Sequence, residues 1–278
     1  MGTFDGVHRG HQALLAVARA WANRHPTHLE VWIFHPHPRW VLRGEEVPLL
    51  TTLSERVALL QEVGVDFVRA VPFTRELAAL PAETFVRDWI GRLSRPQGMV
   101  LGYDHRFGQG RKGSAELVRQ MGIAVEEVPP LIEGEGPISS SRLRRLVQQG
   151  HMEEAEKLMG RPFGLRGTVR RGQGLARQWG VPTANLPWPE EKLRPPAGTY
   201  AGWAYLDGAY PAVLYLPPQG DLEVHLLAFE QDLYDKPLQA SFLAFLRPYA
   251  DFSDEAALRR QILEDVESVR RYFRERGL

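Results

Sequence analysis

The 278-residue chain contains no cysteine, which excludes disulfides and thiolate metal centres. It also has no net charge, with 34 Lys and Arg against 34 Asp and Glu. No overall field therefore draws in a polyanion, nucleic acid is not an expected partner, and any phosphate chemistry must rest on local groups. No basic-then-apolar leader opens the sequence, and no apolar run approaches the ~18 residues of a membrane span. A cytoplasmic protein without membrane attachment is the expectation. Lysine is scarce: 4 of the 34 basic residues are Lys and 30 are Arg. Guanidinium groups bind phosphate bidentately, although a GC-rich genome produces the same skew. Asparagine occurs only at Asn23 and Asn185, which together with the missing cysteine hints at a thermophile.

What is present is ordinary globular composition, 44% hydrophobic and 24% charged, at a length that suits about two domains. The first half alternates strands and helices. Leu14, Val17, Ala18 and Trp21 form a helical apolar face within residues 10–24. HLEVWIF at 28–34 reads as a strand, and Thr52-Leu53-Ser54-Glu55 as a capping box opening a helix to about Val63. Strands over 66–71, 99–102 and 123–128, with helices over 81–93 and 114–121, complete a doubly wound α/β pattern. Such alternation implies a parallel sheet covered on both faces, with ligands at the carboxyl ends of its strands. Helices over 140–149 and 152–159 close this half. After Gly160-Arg161-Pro162 the texture changes to short alternating stretches separated by Gly, Pro and Asp, the pattern of a compact antiparallel barrel. A long final helix follows, with Ser253 as its expected N-cap. The expected domains are 1–159 and 160–278.

The densest chemistry lies in Gly2-Thr3-Phe4-Asp5-Gly6-Val7-His8-Arg9-Gly10-His11. His8 and His11, three apart where a turn enters a helix, share one face of the first turn. A helix amino terminus supplies N–H groups and a positive dipole end, and bare glycines allow phosphate to approach closely. Nucleotidyl transfer needs such fixed charge-assisted donors on the attacked and departing phosphates. Two other readings exist: a zinc site made by His8, His11, His35 and His37, or a purely structural histidine pair. Gly108-Gln109-Gly110-Arg111-Lys112-Gly113 fits G-x-G-x-x-G, but Tyr103–Phe107 separate it from its strand, so a phosphate-facing loop suits it better than a dinucleotide fold.

GTFDGVHRGHQALL resembles the opening motif of the bifunctional bacterial riboflavin kinase/FMN adenylyltransferase family, also called FAD synthetase. Phe34-His35-Pro36-His37-Pro38 looks like its F-x-P-H-P turn. Pro72-Phe73-Thr74 with Glu83-Thr84-Phe85-Val86 resembles its flavin-side segment. Leu101–Gly108 is similar to its G-x-D-F-x-F-G loop, and Ile138–Arg144 to its I-S-S-T-x-x-R signature. The resemblance implies a Rossmann-like nucleotidylyltransferase domain in which His8, His11 and Arg144 are catalytic. It implies nucleotide contacts from Gly2, Phe4, Gly6, Asp104, Ser139 and Ser140, and flavin contacts from Phe73, Phe85 and Phe107. In that family a hydrophobic strand precedes the first motif. Here only Met1 stands before Gly2, as a start codon placed downstream of the true one would produce, and neighbouring strands would be left with unpaired backbone groups.

Gly180-Val181-Pro182-Thr183-Ala184-Asn185 looks like the P-T-A-N motif of riboflavin kinase, a small barrel with a carboxyl-terminal helix. The resemblance implies that Thr183 and Asn185 contact Mg²⁺ and the ATP phosphates. It further implies that Glu223 takes the proton from the ribityl 5′-hydroxyl and that Arg247 contacts flavin. Departures are present: Ala176 and Trp179 replace glycine and leucine of the family pattern, Ala228 replaces an aspartate, and Leu214–Gly220 is a shortened N-I-G-x-x-P-T-F segment. The expected activity is riboflavin to FMN with ATP, then FMN to FAD with release of pyrophosphate. The competing reading is an FMN adenylyltransferase whose barrel binds flavin without turnover. A third is a non-catalytic flavin- or nucleotide-binding protein. The expected partners are riboflavin, FMN and ATP, and oligomeric state is not legible.

Overall fold

In the computed structural model, which describes residues 1–172 and 175–278, the chain forms two compact units, Met1–Ser140 and Ser141–Leu278. In the first, helix α1 (Arg9–Arg24) is followed by β1 (Glu30–His35), α2 (Pro38–Arg43), α3 (Leu53–Glu62) and β2 (Phe67–Pro72). The capping box forms as the sequence predicts. Thr52 Oγ1 accepts from Glu55 N at 3.2 Å, and Glu55 Oε2 accepts from Thr52 N at 2.9 Å. α2, led by Pro38, is an element the sequence reading left out.

After a short α4 (Arg75–Ala78), the expected helix over 81–93 is present, built from α5 (Ala82–Thr84), a π-helical stretch (Phe85–Ile90) and α6 (Gly91–Leu93). The wide turn places Phe85, Val86 and Ile90 together in a core with Trp32, Phe107 and Val118. β3 (Gly98–Gly102), α7 (Ala115–Gln120) and β4 (Ala124–Val128) follow.

The parallel sheet exists as two parallel pairs, β1–β2 and β3–β4, in separate ladders. Between them lies a groove of about 370 Å³, lined by Leu14, Ala18 and Trp21 of α1, Trp32 of β1 and Leu101 of β3. Gly2 pairs in parallel with Ile33 at one end of this groove, donating to Trp32 O and accepting from Phe34 N, both at 2.9 Å. That pairing delivers residues 3–8 to the carboxyl end of β1, the position a parallel sheet reserves for ligands.

A hairpin of β5 (Ile132–Glu133) and β6 (Gly136–Pro137) precedes α8 (Ser140–Gln148) and α9 (Met152–Met159). The second unit then builds its barrel from β7 (Phe163–Thr168), β8 (Ala184–Leu186), β9 (Gly198–Tyr205), β10 (Ala209–Leu216), β11 (Leu222–Leu226) and β12 (Pro237–Pro248), with spatial order β7-β12-β9-β10-β11-β8. An antiparallel bridge between Arg170 and Asn185 draws the two ends together.

Helix α10 (Glu255–Arg276) packs on the barrel through Val266, Val269 and Phe273, against Val181, Ala201 and Val213. Each such side chain contributes roughly 1.5–3 kcal/mol by leaving water. Its N-cap is Asp254, one residue later than the sequence reading placed it: Asp254 Oδ1 accepts from Ala257 N at 2.7 Å, and Ser253 Oγ donates to the same carboxylate. A carboxylate cap also interacts better with the helix dipole than a hydroxyl. Among the described residues no helix is long and apolar enough to cross a membrane.

Candidate active sites

The first site is the loop before α1. Phe4 and Val7 adopt left-handed φ values of 47° and 37°, and Gly6 lies at 83°. Non-glycine residues there are strained, so the surroundings must hold them. They do so through Asp5, which is fully buried. Its carboxylate accepts from Leu50 N and Thr51 N, each at 3.1 Å, and from Thr51 Oγ1 at 3.2 Å. Thr51 Oγ1 accepts in turn from Gly6 N at 3.0 Å. Buried Arg56, on α3, stands 3.6 Å from Asp5 and donates to Thr3 O and Thr51 O at 2.9 Å. Ser140 Oγ donates to Asp5 O at 2.9 Å. A charged pair shielded from water thus clamps a strained loop, and none of Asp5, Thr51 or Arg56 was singled out from the sequence.

His8 caps α1 by accepting from His11 N at 3.3 Å through Nδ1. Its ring stacks on His11 at 3.7 Å between centroids, and Phe4 covers the far side of His11 at 5.0 Å. A Cβ at Gly10 would lie 3.1 Å from His8 Nδ1, so glycine lets the imidazole lie flat on the helix start. Both imidazoles therefore sit at the positive end of the helix, where an anion is favoured. Among the described residues no three His, Asp or Glu side chains group to hold a metal ion, so the four histidines of the zinc reading form no such cluster.

Among the proposed flavin contacts, Phe85 and Phe107 are buried in the core, 5.8 Å apart. Phe73 is only partly buried and meets Phe34 edge-on at 5.4 Å. Asp104 is exposed. His105, which stands where the family motif has phenylalanine, is held neutral because burial and neighbouring Arg111 and Arg106 push its pKa down to about 3. Ser139 and Ser140 lie at the start of α8, and Arg144 follows on that helix.

The second site lies in the barrel. β8 pairs with β11 so that Asn185 stands opposite Glu223, and Thr183 Oγ1 donates to Glu223 Oε2 at 3.3 Å. A Cβ at Gly172 would fall 2.2 Å from Asn185 Nδ2, so the backbone there must stay bare for the amide to keep its place. Burial raises the Glu223 pKa against a smaller lowering by the Thr183 hydroxyl. Two residues along the same face of β11, His225 Nδ1 lies 2.8 Å from Pro182 O, which ties β11 to the turn before Thr183.

Two cavities meet at Thr183 and His225. One, of about 590 Å³, has walls from Trp179, Val181, Tyr215, Tyr249 and Phe252 and also contains Asn185, Glu223 and Arg247. The other, of about 520 Å³, is bordered by Arg177, Arg270, Phe229 and Tyr234. The altered segment forms part of the first rim: Arg194 Nη2 donates to Pro217 O at 2.7 Å and to Gly220 O at 3.0 Å. Arg247 is gripped through two bonds to Asp265 of α10, Nε–Oδ1 at 2.7 Å and Nη2–Oδ2 at 2.5 Å. The sequence reading missed Asp265 and the second cavity. Glu223 lines the aromatic cavity and accepts from Thr183, which borders both cavities, a layout suited to deprotonating an alcohol held in the first toward an electrophile held in the second.

Comparison with known proteins follows the same division. The family model described as FAD synthetase matches residues 1–142, and the one described as riboflavin kinase matches residues 159–273. The chain is 34% identical to the bifunctional riboflavin kinase/FMN adenylyltransferase of Escherichia coli (strain K12), with 98% of this chain and 91% of the relative covered. It is 35% identical to the protein of that name from Pseudomonas fluorescens, over 97% and 91%, and 31% to that from Bacillus subtilis (strain 168), over 98% and 91%. A solved Streptococcus pneumoniae structure, described as a macrolide-efflux protein, superposes with a TM-score of 0.86 at 29% identity, covering 97% of this chain and 92% of that one.

Proposed function

The chain belongs to the bifunctional riboflavin kinase/FMN adenylyltransferase family, and from that premise we infer that it converts riboflavin to FMN and FMN to FAD, using ATP in both steps. We assign adenylyl transfer to residues 1–159 and phosphorylation to residues 160–278. The observation that carries the kinase half is the register of β8 against β11, which sets Thr183, Asn185 and Glu223 side by side.

Riboflavin occupies the aromatic cavity, with its ribityl 5′-hydroxyl toward Glu223. ATP occupies the cavity bordered by Arg177 and Arg270. Glu223 takes the hydroxyl proton as that oxygen bonds to the γ-phosphorus, and ADP departs. Thr183 and Asn185 offer a hydroxyl and an amide oxygen, hard donors of the kind Mg²⁺ accepts. Thr183 and Asn185 would hold the ion beside the ATP phosphates. The ion neutralises phosphate charge when bound.

In the amino-terminal half, an FMN phosphate oxygen attacks the α-phosphorus of ATP and pyrophosphate leaves. His8, His11 and the α1 N–H groups stabilise the charge that develops. Gly2, Phe4 and Gly6 shape the loop around the nucleotide, with Asp104, Ser139 and Ser140 as further contacts, and Arg144 binds anionic oxygens. Phe73 touches the flavin, and Phe85 and Phe107 support that wall from the core.

The replaced Leu214–Gly220 segment favours a second reading, an adenylyltransferase with a barrel that only binds flavin. Incubation with riboflavin, ATP and Mg²⁺, and in parallel with FMN and ATP, decides between them by chromatography of the flavins. FMN and FAD from riboflavin are expected, whereas FAD from supplied FMN alone leaves the second reading.

A pH profile tests the assignment of the base. Burial disfavours ionised Glu223, so its catalytically competent carboxylate is lost on acidification at a pH above the usual ~4.3 of glutamate. The acid limb of kcat/KM for FMN formation should lie above that value, and a limb at or below it overturns the assignment.

A further inference from the structure

The aromatic cavity of the barrel is lined by Asp221, Glu223, Asp251 and Asp265 against one guanidinium, Arg247, and the imidazole of His225, whose protonation burial disfavours. Arg247 is not available as a charge. Asp265, itself buried, occupies its Nε and Nη2 edge, and Arg247 Nη1 donates to Pro248 O at 3.1 Å. Asp265 is fixed in its turn by Thr199 Oγ1 at 3.2 Å and Gln261 Nε2 at 3.1 Å. Asp251 is committed to Tyr249, whose hydroxyl donates to it at 2.6 Å. The lining is therefore acidic overall, with its single guanidinium neutralised in place.

Riboflavin is uncharged, whereas FMN carries about two negative charges at neutral pH. An acidic, partly desolvated wall leaves the first unaffected and repels the second. We propose that Asp265 is a specificity-determining residue: by neutralising Arg247 it makes the kinase cavity bind riboflavin in preference to FMN, so that the product leaves once formed. Arg247 then serves the flavin as a planar hydrogen-bond donor rather than as a phosphate receptor. The proposal rests on the assignment of this cavity to riboflavin.

The test follows phosphorylation of isotopically labelled riboflavin by the full chain, counting labelled FMN plus FAD, at increasing unlabelled FMN. Asp265→Asn frees one positive charge in the cavity. Inhibition by FMN should tighten by about fivefold, the scale of one charge near 10 Å in a partly screened site, while KM for riboflavin changes less than twofold. Unchanged inhibition, or equal weakening of riboflavin and FMN as a packing defect would give, overturns the proposal.

Should Asp265→Asn not fold, exposed Asp251→Asn removes a negative charge from the same lining and should tighten FMN inhibition about twofold. Inhibition unchanged in that variant also overturns the proposal. Arg247→Gln separates the premise from the proposal: a raised riboflavin KM supports the cavity assignment whatever Asp265 does, and an unaltered one removes it.

Discussion

Glu223→Gln lowers FMN formation from riboflavin by about 10²- to 10⁴-fold and leaves FAD formation from supplied FMN at its original rate. The amide matches the carboxylate in shape, and its oxygen still accepts from Thr183 Oγ1, which the carboxylate does at 3.3 Å, so the β8–β11 register has no reason to change. What disappears is the capacity to take a proton. The fold should not suffer. Burial raises the Glu223 pKa in the folded protein, so the contribution of this group to stability is full below its unfolded pKa and declines as pH rises through the folded value. Burial makes ionisation of this carboxylate costlier than in water, and a neutral amide does not bear that cost. The measurement is chromatographic product analysis with riboflavin and with FMN as alternative substrates, beside a thermal melt. Equal loss of both activities defeats the division of labour, and an undiminished kinase defeats the base.

Residues that carry their own local signal were legible in the sequence. α1 begins where the turn His8-Arg9-Gly10-His11 predicts because its cap is contained within that turn. The Thr52–Glu55 capping box and the barrel strands likewise need only neighbours in sequence to declare themselves. The short strand β8 and the six-residue α2 were missed because neither is long enough to show a period. The position of the cap of α10 turned on one residue, since Ser253 and Asp254 both suit it and only geometry selects Asp254.

The supporting shells of both sites were missed for a different reason. Asp5 meets Thr51 from 46 residues away, and Arg247 meets Asp265 from 18 residues away. A trace of each was nevertheless present. Arg56 falls on the apolar stripe of α3 between Leu53, Val57 and Leu60, and Asp265 falls on that of α10 between Ile262, Val266 and Val269. A charge at a core-facing helical position is costly unless a partner neutralises it, so its presence there points to a buried partner without naming it. Phe85 and Phe107 show the converse limit. Their motif marks them as flavin neighbours, while at 3% and 7% exposure their burial is equally that of core residues, and the motif alone does not separate the two roles.

Arg56→Met should be the most damaging change outside the reacting groups. It removes one partner of a pair in which Arg56 and Asp5 are 1% and 0% exposed, and leaves the buried carboxylate, which still accepts from Leu50 N, Thr51 N and Thr51 Oγ1, without its guanidinium. Breaking such a pair costs about 3–5 kcal/mol, which lowers the melting of the amino-terminal unit by roughly 10 °C. The consequence for activity follows from Phe4 and Val7. Their left-handed backbone persists only while Arg56 holds Thr3 O and Thr51 holds Gly6 N. Once released, the loop relaxes and the His8–His11 stack loses its setting against the phosphates. Misplacement of about 1 Å is enough for a loss near 10²-fold, so FAD formation from FMN should fall by at least that much while FMN formation persists. Pairing the change with Asp5→Asn should restore much of the stability, because no uncompensated charge then remains, but not the adenylyl transfer, because the loop clamp is still absent. Recovery of both would mean that Asp5 and Arg56 serve the fold alone. Recovery of stability without activity assigns them to the geometry of the phosphate loop.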